Sequence, residues 1–308
     1  MKCLILGGGG FLGSHLSEAL LAKNHLVRIF DRPNLSRFKP IQTHQNIEWV
    51  EGDFANREDV IRAVFECDVI YHLISTTLPH SSNINPIYDI ETNLIGTLYL
   101  LEAALKNNAK KIIFVSSGGT VYGNPKQTPI NELHPTEPIC SYGIGKLAIE
   151  KYLHLFHLLH GLEYCILRFA NPFGPRQRIL TAQGAIATFA AKAIRNEVIE
   201  VWGDGSVVRD YFYISDAVAA LTKALSYQGE QRIFNIGSGV GKSINDVLSA
   251  IDSLFEKPIK RAYLPARSFD VPVSILDISK ALELLHWKPQ ATFSDGLSQT
   301  LHWLRNNN

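Results

Sequence analysis

Short runs that are apolar on both faces alternate, through the first half of the chain, with longer stretches whose apolar residues recur every three or four positions. Lys2–Leu6, Leu26–Phe30, Ile47–Val50, Val69–Leu73, Lys111–Ser116 and Tyr164–Phe169 are of the first kind. They read as strands buried within a parallel sheet. Phe11–Lys23, Arg57–Glu66, Pro86–Asn107 and Tyr142–His160 are of the second kind and read as helices. Strand alternating with helix implies βαβ units with right-handed crossovers. The expected fold class is therefore α/β, a Rossmann-like doubly wound parallel sheet. After Asn171 the texture changes. Pro172, Gly174 and Pro175 break the pattern, Gly203-Asp204-Gly205 makes a turn, and shorter mixed elements lead to a helix ending near Arg305. This predicts a first domain over 1–170 and a smaller C-terminal α/β lobe over 171–308, with some segments returning to the first domain.

Composition narrows the function without naming it. The 308 residues suit about two domains at roughly 150 residues each. Thirty Lys and Arg against 29 Asp and Glu leave a net charge of +1, so no general nucleic-acid or membrane-surface role is expected. A hydrophobic fraction of 46% excludes general disorder. Cys3, Cys67, Cys140 and Cys165 lie far apart with no CxxC pair. That argues against a zinc site or disulfide framework and fits a reducing, cytoplasmic setting. The N-terminal apolar stretch is too short for a signal peptide, and no apolar run is long enough for a membrane span.

Three motifs carry chemistry. Gly7, Gly10 and Gly13 are spaced GxxGxxG between the first strand and the first helix, where Phe11 and Leu12 begin. Glycine allows the tight turn and lets backbone N–H groups approach a pyrophosphate at a helix N-terminus. Asp31 follows the second strand, at the spacing expected of a carboxylate that binds the adenosine ribose of NAD and repels a 2′-phosphate. Arg32 beside it leaves NADP open. Asp53, after the third strand, could reach the adenine amino group or cap the helix that starts near Asn56. Tyr142 and Lys146 stand at i and i+4, one turn apart on one helix face. A neighbouring ammonium and a positive nicotinamide ring would lower the phenol's pKa, making Tyr142 an acid/base for a sugar or alcohol hydroxyl. Ser116 and Ser117 place hydroxyls at the end of the fifth strand, the edge at which such sheets bind ligands.

Together the GxxGxxG turn, the acidic residue after strand two, Ser116-Ser117 with Val121-Tyr122-Gly123, and Tyr142 with Lys146 resemble the extended short-chain dehydrogenase/reductases. Within these the chain is similar to the nucleotide-sugar epimerases, nearest to the UDP-glucose 4-epimerases, over almost its whole length. Further landmarks are Arg168 to Pro175, Gly203-Asp204-Gly205 with Arg209-Asp210-Tyr211, Asn235-Ile236-Gly237, and Leu285 to Pro289, where His286 stands at a position usually held by Gly. The resemblance implies a fixed NAD that takes a hydride from C4 of the sugar, rotation of the 4-keto sugar about its diphosphate link, and return of the hydride to the opposite face. It implies that Tyr142 moves the O4 proton and that Lys146 holds the nicotinamide ribose. Phe54, Leu73, Ser116 and Phe169 would lie along the cofactor. Asn171, Arg209 and Arg267 would hold the sugar nucleotide, the arginines on its phosphates, with Asp270 on the uridine ribose side. A homodimer built on the Pro86–Asn107 and Tyr142–His160 helices is also implied, although their apolar faces could equally serve the core.

Departures from the family pattern sharpen the substrate. Gly118 stands where many members carry a catalytic Ser or Thr, so the hydroxyl must come from Ser117, the preferred candidate, from Thr120, or from water. Gly119 and Thr120 stand where the sugar 4,6-dehydratases carry Asp-Glu, so dehydration is disfavoured. Ser274, seven positions after Arg267, stands where hexose-specific relatives carry a bulky residue, which predicts room for UDP-GlcNAc and UDP-GalNAc beside UDP-Glc and UDP-Gal. No metal is expected: His154, His157 and His160 lack a carboxylate or Cys ligand set. His72 is expected to be a packed strand residue, and Ser75–Asn85 a loop that contacts sugar or acts as a flexible lid. Two other readings stand beside the epimerase: an NAD(P)H-dependent reductase of a nucleotide 4-keto sugar, and a non-catalytic Rossmann regulatory protein.

Overall fold

A computed structural model describes residues 1–34, 41, 44–179, 184–255, 258–266 and 271–307. Seven parallel strands form the central sheet: β1 (Lys2–Leu6), β2 (Leu26–Asp31), β3 (Ile47–Glu51), β4 (Val69–His72), β5 (Lys111–Ser117), β6 (Glu163–Phe169) and a strand from the C-terminal half, Ile233–Ile236. Their spatial order is β3-β2-β1-β4-β5-β6 followed by Ile233–Ile236, the doubly wound order expected from the alternating pattern. The order reverses between β1 and β4, so the crevice at the carboxyl ends of these two strands is where such a sheet receives a ligand.

Each strand feeds two cores because its side chains alternate faces. In β1, Cys3 and Ile5 join one core with Ile29, Tyr71, Ile113 and Leu167, while Leu4 and Leu6 join the other with Phe30, Ile70, Phe114 and Ile166. The first core is covered by α1 (Phe11–Ala22) and by the helix Ile214–Ser226, which pack against each other. The second is covered by α2 (Arg57–Val64), by the helical stretch from Pro86 to Lys106, and by Ser141–His160. That stretch is not uniform: a π-helical turn at Ile90–Ile95 separates Pro86–Asp89 from Gly96–Lys106.

The C-terminal half adds a small mixed sheet of Asn171–Phe173, Val208–Tyr213, Gly241–Ser243 and Val273–Ser274, and a parallel pair of Ile199–Trp202 with Arg261–Leu264. Buried Asp210 ties the first of these together, accepting from Ser238 N (2.7 Å), Ser238 Oγ (2.6 Å), Gly239 N (3.2 Å) and Leu276 N (3.3 Å). His286 takes a left-handed backbone at φ 49°, the region glycine adopts without cost, which accounts for its position in the family pattern. His72 is a packed strand residue, buried between the rings of Phe54 and Phe114 with Nε2 at 2.9 Å from Thr97 Oγ1. Among the described residues no three His, Cys, Asp or Glu side chains group as metal ligands, and no helix is long and apolar enough to cross a membrane.

Candidate active site

The glycine turn closes on itself at the foot of α1. Gly7 adopts φ +84°, and a Cβ on Gly13 would stand 2.3 Å from Gly7 O and 2.5 Å from the Gly8 Cα, so only glycine lets the helix sit against the turn. Gly10 precedes α1 without a side-chain cap, which leaves the Phe11 and Leu12 end of the helix open to an anion. Gly7 also lies against Leu73 and Ile74 at the end of β4, the switch-point crevice itself. At the end of β2 the Asp31 carboxylate accepts from Gly9 N at 3.0 Å and from Arg32 N at 2.9 Å. Each oxygen keeps a lone pair for a ribose hydroxyl. Burial pushes the Asp31 carboxyl up, against these N–H donors and the charges of Arg178 and Arg32. Arg178, on the segment after Asn171–Phe173, is a neighbour of Asp31 that sequence spacing gave no reason to choose. This turn, open helix end and carboxylate fit a dinucleotide.

Asp53 does not cap α2. The cap is Asn56, whose Oδ1 accepts from Glu58 N (2.9 Å) and Asp59 N (3.3 Å), whereas Asp53 turns back on Ala55 N at 2.9 Å. Asp53 stays exposed beside buried Phe54. The Ser116 hydroxyl is buried and donates to Glu150 at 2.6 Å. Glu150 in turn holds Arg168 bidentately at 3.0 and 2.6 Å, Arg168 reaches Tyr122 Oη at 2.9 Å, and Tyr122 donates to Asn235 at 2.7 Å. This closed network braces the back of the site.

Lys146 is buried, with Nζ donating to Val115 O at 3.0 Å and lying 4.6 Å from the Phe114 ring centre and 5.6 Å from that of Tyr142. Burial pulls its pKa down to about 8, opposed by the charges of Asp89 and Glu150. Tyr142 is half-buried. Burial raises the phenol above its ordinary value, with Cys140 and Asp89 adding to the rise and only a hydrogen bond with Ser75 opposing it. A Tyr–Lys spacing alone does not make a phenolate in this protein.

The start of the Ser141–His160 helix is held from outside. Cys140 precedes it without a side-chain cap, and the first N–H groups are taken instead by Asn83 Oδ1 (Ser141 N, 2.8 Å) and Ser82 Oγ (Tyr142 N, 3.0 Å). Both belong to a short helix, Pro79–Ile84, within the segment expected as a loop or lid. Ser75–Asn85 thus docks on the start of the Tyr142 helix.

Gly118 is where it is for a steric reason. A Cβ there would stand 2.5 Å from Leu276 Cδ1 and 3.3 Å from Arg168 O, so the space a side chain would need is already filled. Of the remaining hydroxyls, Ser117 lies half-buried at the end of β5, and Thr120 Oγ1 is buried with no hydrogen-bond partner among the described residues. Phe169 is buried and stacks edge-on against Phe212 at 5.4 Å.

On the substrate side, Asn171 donates to Asp210 O at 3.0 Å, and Arg209 Nη1 donates to Val208 O (2.9 Å) and Val271 O (2.6 Å). Ser274 is buried in a two-residue strand, in register with Arg209. Arg267 and Asp270 lie outside the described residues.

The comparisons with known proteins agree with this geometry. A putative UDP-glucose 4-epimerase of Methanocaldococcus jannaschii is 34% identical over 314 residues, 99% of each chain. The structure of the UDP-glucose 4-epimerase of Thermotoga maritima with UDP-glucose superposes at a TM-score of 0.93, 34% identical, covering 99% of both chains. That of the UDP-N-acetylglucosamine 4-epimerase of Methanobrevibacter ruminantium, in complex with UDP-N-acetylmuramic acid, reaches 0.92 at 29% identity, covering 100% of this chain and 99% of its own. With the family's sequence profile matching residues 3–237 on top of the glycine turn, Asp31 and the Tyr142–Lys146 pair, the chain belongs to the NAD dependent epimerase/dehydratase family.

Proposed function

We propose that this protein is an NAD-dependent 4-epimerase of UDP-hexoses, interconverting UDP-Glc and UDP-Gal with room for the UDP-GlcNAc and UDP-GalNAc pair. The observation that carries the reading is the Tyr142 phenol and the buried Lys146 ammonium side by side at the carboxyl edge of a sheet whose switch point holds a dinucleotide cradle. Residues 1–170 hold the cofactor, and 171–308 hold the nucleotide sugar. NAD bound in that cradle would supply the hydride acceptor and donor, and its positive ring would favour the phenolate that burial opposes. Tyr142 takes the proton of the sugar O4 hydroxyl and returns it after the 4-keto sugar has turned. Lys146 keeps a positive charge beside the phenol and presents donors to the nicotinamide ribose. Asn171, Arg209 and Arg267 grip the diphosphate side, with Asp270 on the uridine ribose and Ser117 at the sugar. Buried Ser274, small and next in register to Arg209, supports a pocket wide enough for an N-acetyl group. The exposed apolar side chains Ile87, Tyr88, Ile144 and Leu158 on the two helices support a homodimer, and the free buried cysteines a cytoplasmic enzyme.

The test is to purify the protein without added cofactor, look for bound NAD by absorbance and mass, and incubate it with UDP-Gal and with UDP-GalNAc. Turnover without net NAD(P)H consumption is expected; stoichiometric consumption would identify a reductase. Tyr142→Phe should abolish turnover and retain NAD, and Ser274→Tyr should suppress the N-acetylated pair more than the hexose pair. Activity surviving Tyr142→Phe would refute the assignment.

A further inference from the structure

We propose that Asp89 is a positioning residue of this reaction: its buried carboxylate pins the first turn of the helix carrying Tyr142 and Lys146, and it is the negative charge that the Lys146 ammonium faces from outside its own helix. The role rests on the epimerase reading above. Asp89 ends the segment Pro86–Asp89, just before the π-helical turn, and is 3% exposed. One carboxylate oxygen accepts from the Thr77 hydroxyl and from Asn93 Nδ2 (2.9 Å), the other from Ser141 Oγ (2.7 Å). The second oxygen also lies 3.7 Å from where a Cβ on Gly145 would stand, which places the charge against the helix directly before Lys146.

These three donors are neutral. A buried carboxylate satisfied only by neutral hydrogen bonds is costly unless a cation shares its surroundings. The groups around Lys146 identify that cation. From β5 it meets the Phe114 ring and the Val115 carbonyl, and from its own helix the Tyr142 ring and Glu150. From β4 it meets His72, which burial holds well below its ordinary pKa and therefore neutral. Glu150 is already matched by Arg168 through two hydrogen bonds. Asp89, whose charge also acts on Tyr142 and Cys140, is the remaining counter-charge. The signs follow. The negative charge of Asp89 favours the protonated forms of both Lys146 and Tyr142, so removing it lowers both pKa values.

Asp89→Asn keeps the shape and discards the charge; Ser141→Ala discards one hydrogen bond and keeps the charge. NMR of protein labelled with [13Cε]-lysine follows the ionisation of Lys146, its signal identified by loss in Lys146→Arg. In Asp89→Asn the Lys146 midpoint is expected to fall by about one pH unit, and in Ser141→Ala to stay in place. The kcat–pH profile with UDP-Gal is expected to move toward acid on both limbs in Asp89→Asn alone. A Lys146 midpoint unmoved in Asp89→Asn, or moved equally in Ser141→Ala, overturns the proposal. Should Asp89→Asn fail to fold, Asp89→Ser reads the same coupling: the Lys146 midpoint is again expected to fall, and an unmoved midpoint overturns the proposal. The NMR measurements need no sugar, so a wild type that fails to epimerise UDP-Gal would refute the functional reading while leaving the role of Asp89 decided on its own readout.

Discussion

Gly118→Ser, which restores a hydroxyl where many relatives carry one, is expected to destabilise this protein because of a residue far away in sequence. The new Cβ would stand 2.5 Å from Leu276 Cδ1 and 3.0 Å from Cδ2, against the roughly 3.5–4.0 Å that carbon atoms prefer. Leu276 cannot swing aside freely: it is 1% exposed and packed with Val121, Tyr122 and Ile130. Overpacking of this kind costs about 1–3 kcal/mol. Leu276→Ala alone leaves a cavity and costs about 2–5 kcal/mol. If the two changes acted independently, the double variant would lose about 3–8 kcal/mol. Because the serine enters the space that the leucine vacates, the double variant is expected to lose less than the sum by about 0.5–3 kcal/mol. Urea unfolding of the wild type, both single variants and the double variant measures this, with equal slopes confirming that the unfolded state is unchanged. Strict additivity would refute the claim that Leu276 is what excludes a side chain at position 118.

Two further outcomes separate neighbouring roles. If the unpartnered hydroxyl of Thr120 replaces the one missing at Gly118, Thr120→Val lowers kcat by about 10–100-fold with little change in KM, and Ser117→Ala does much less; the reverse ranking in steady-state kinetics restores Ser117. Glu150→Gln leaves the Arg168 guanidinium buried without its carboxylate and is expected to cost about 3–5 kcal/mol, whereas Arg168→Met with Glu150→Leu is expected to recover most of it; urea midpoints that fall equally for both would show that the ion pair is not what braces this region.

The strands and the helices α1, α2 and Ser141–His160 were legible because each depends on its own periodicity: buried parallel strands are apolar throughout, and surface helices show an apolar stripe. The glycine turn, Asp31, Tyr142 and Lys146 were legible for a similar reason, since a turn, a strand end and one helical turn fix their spacing locally. That local pattern determines a doubly wound α/β chain with a dinucleotide cradle and a Tyr–Lys pair. Only the tertiary structure decided how the pair is held and charged. Ser82 and Asn83 cap a helix that begins more than fifty positions later, and Asp89 holds its first side chain, Ser141. Leu276 fills the space beside Gly118, and the Ser116 hydroxyl is drawn into the Glu150–Arg168 network. The Tyr142 phenol is pushed up because burial by the elements that surround it, with Cys140 and Asp89 adding to the rise, outweighs the one hydrogen bond from Ser75. Desolvation, steric exclusion and buried charge pairing depend on which distant segments meet, and spacing along the chain does not encode that meeting.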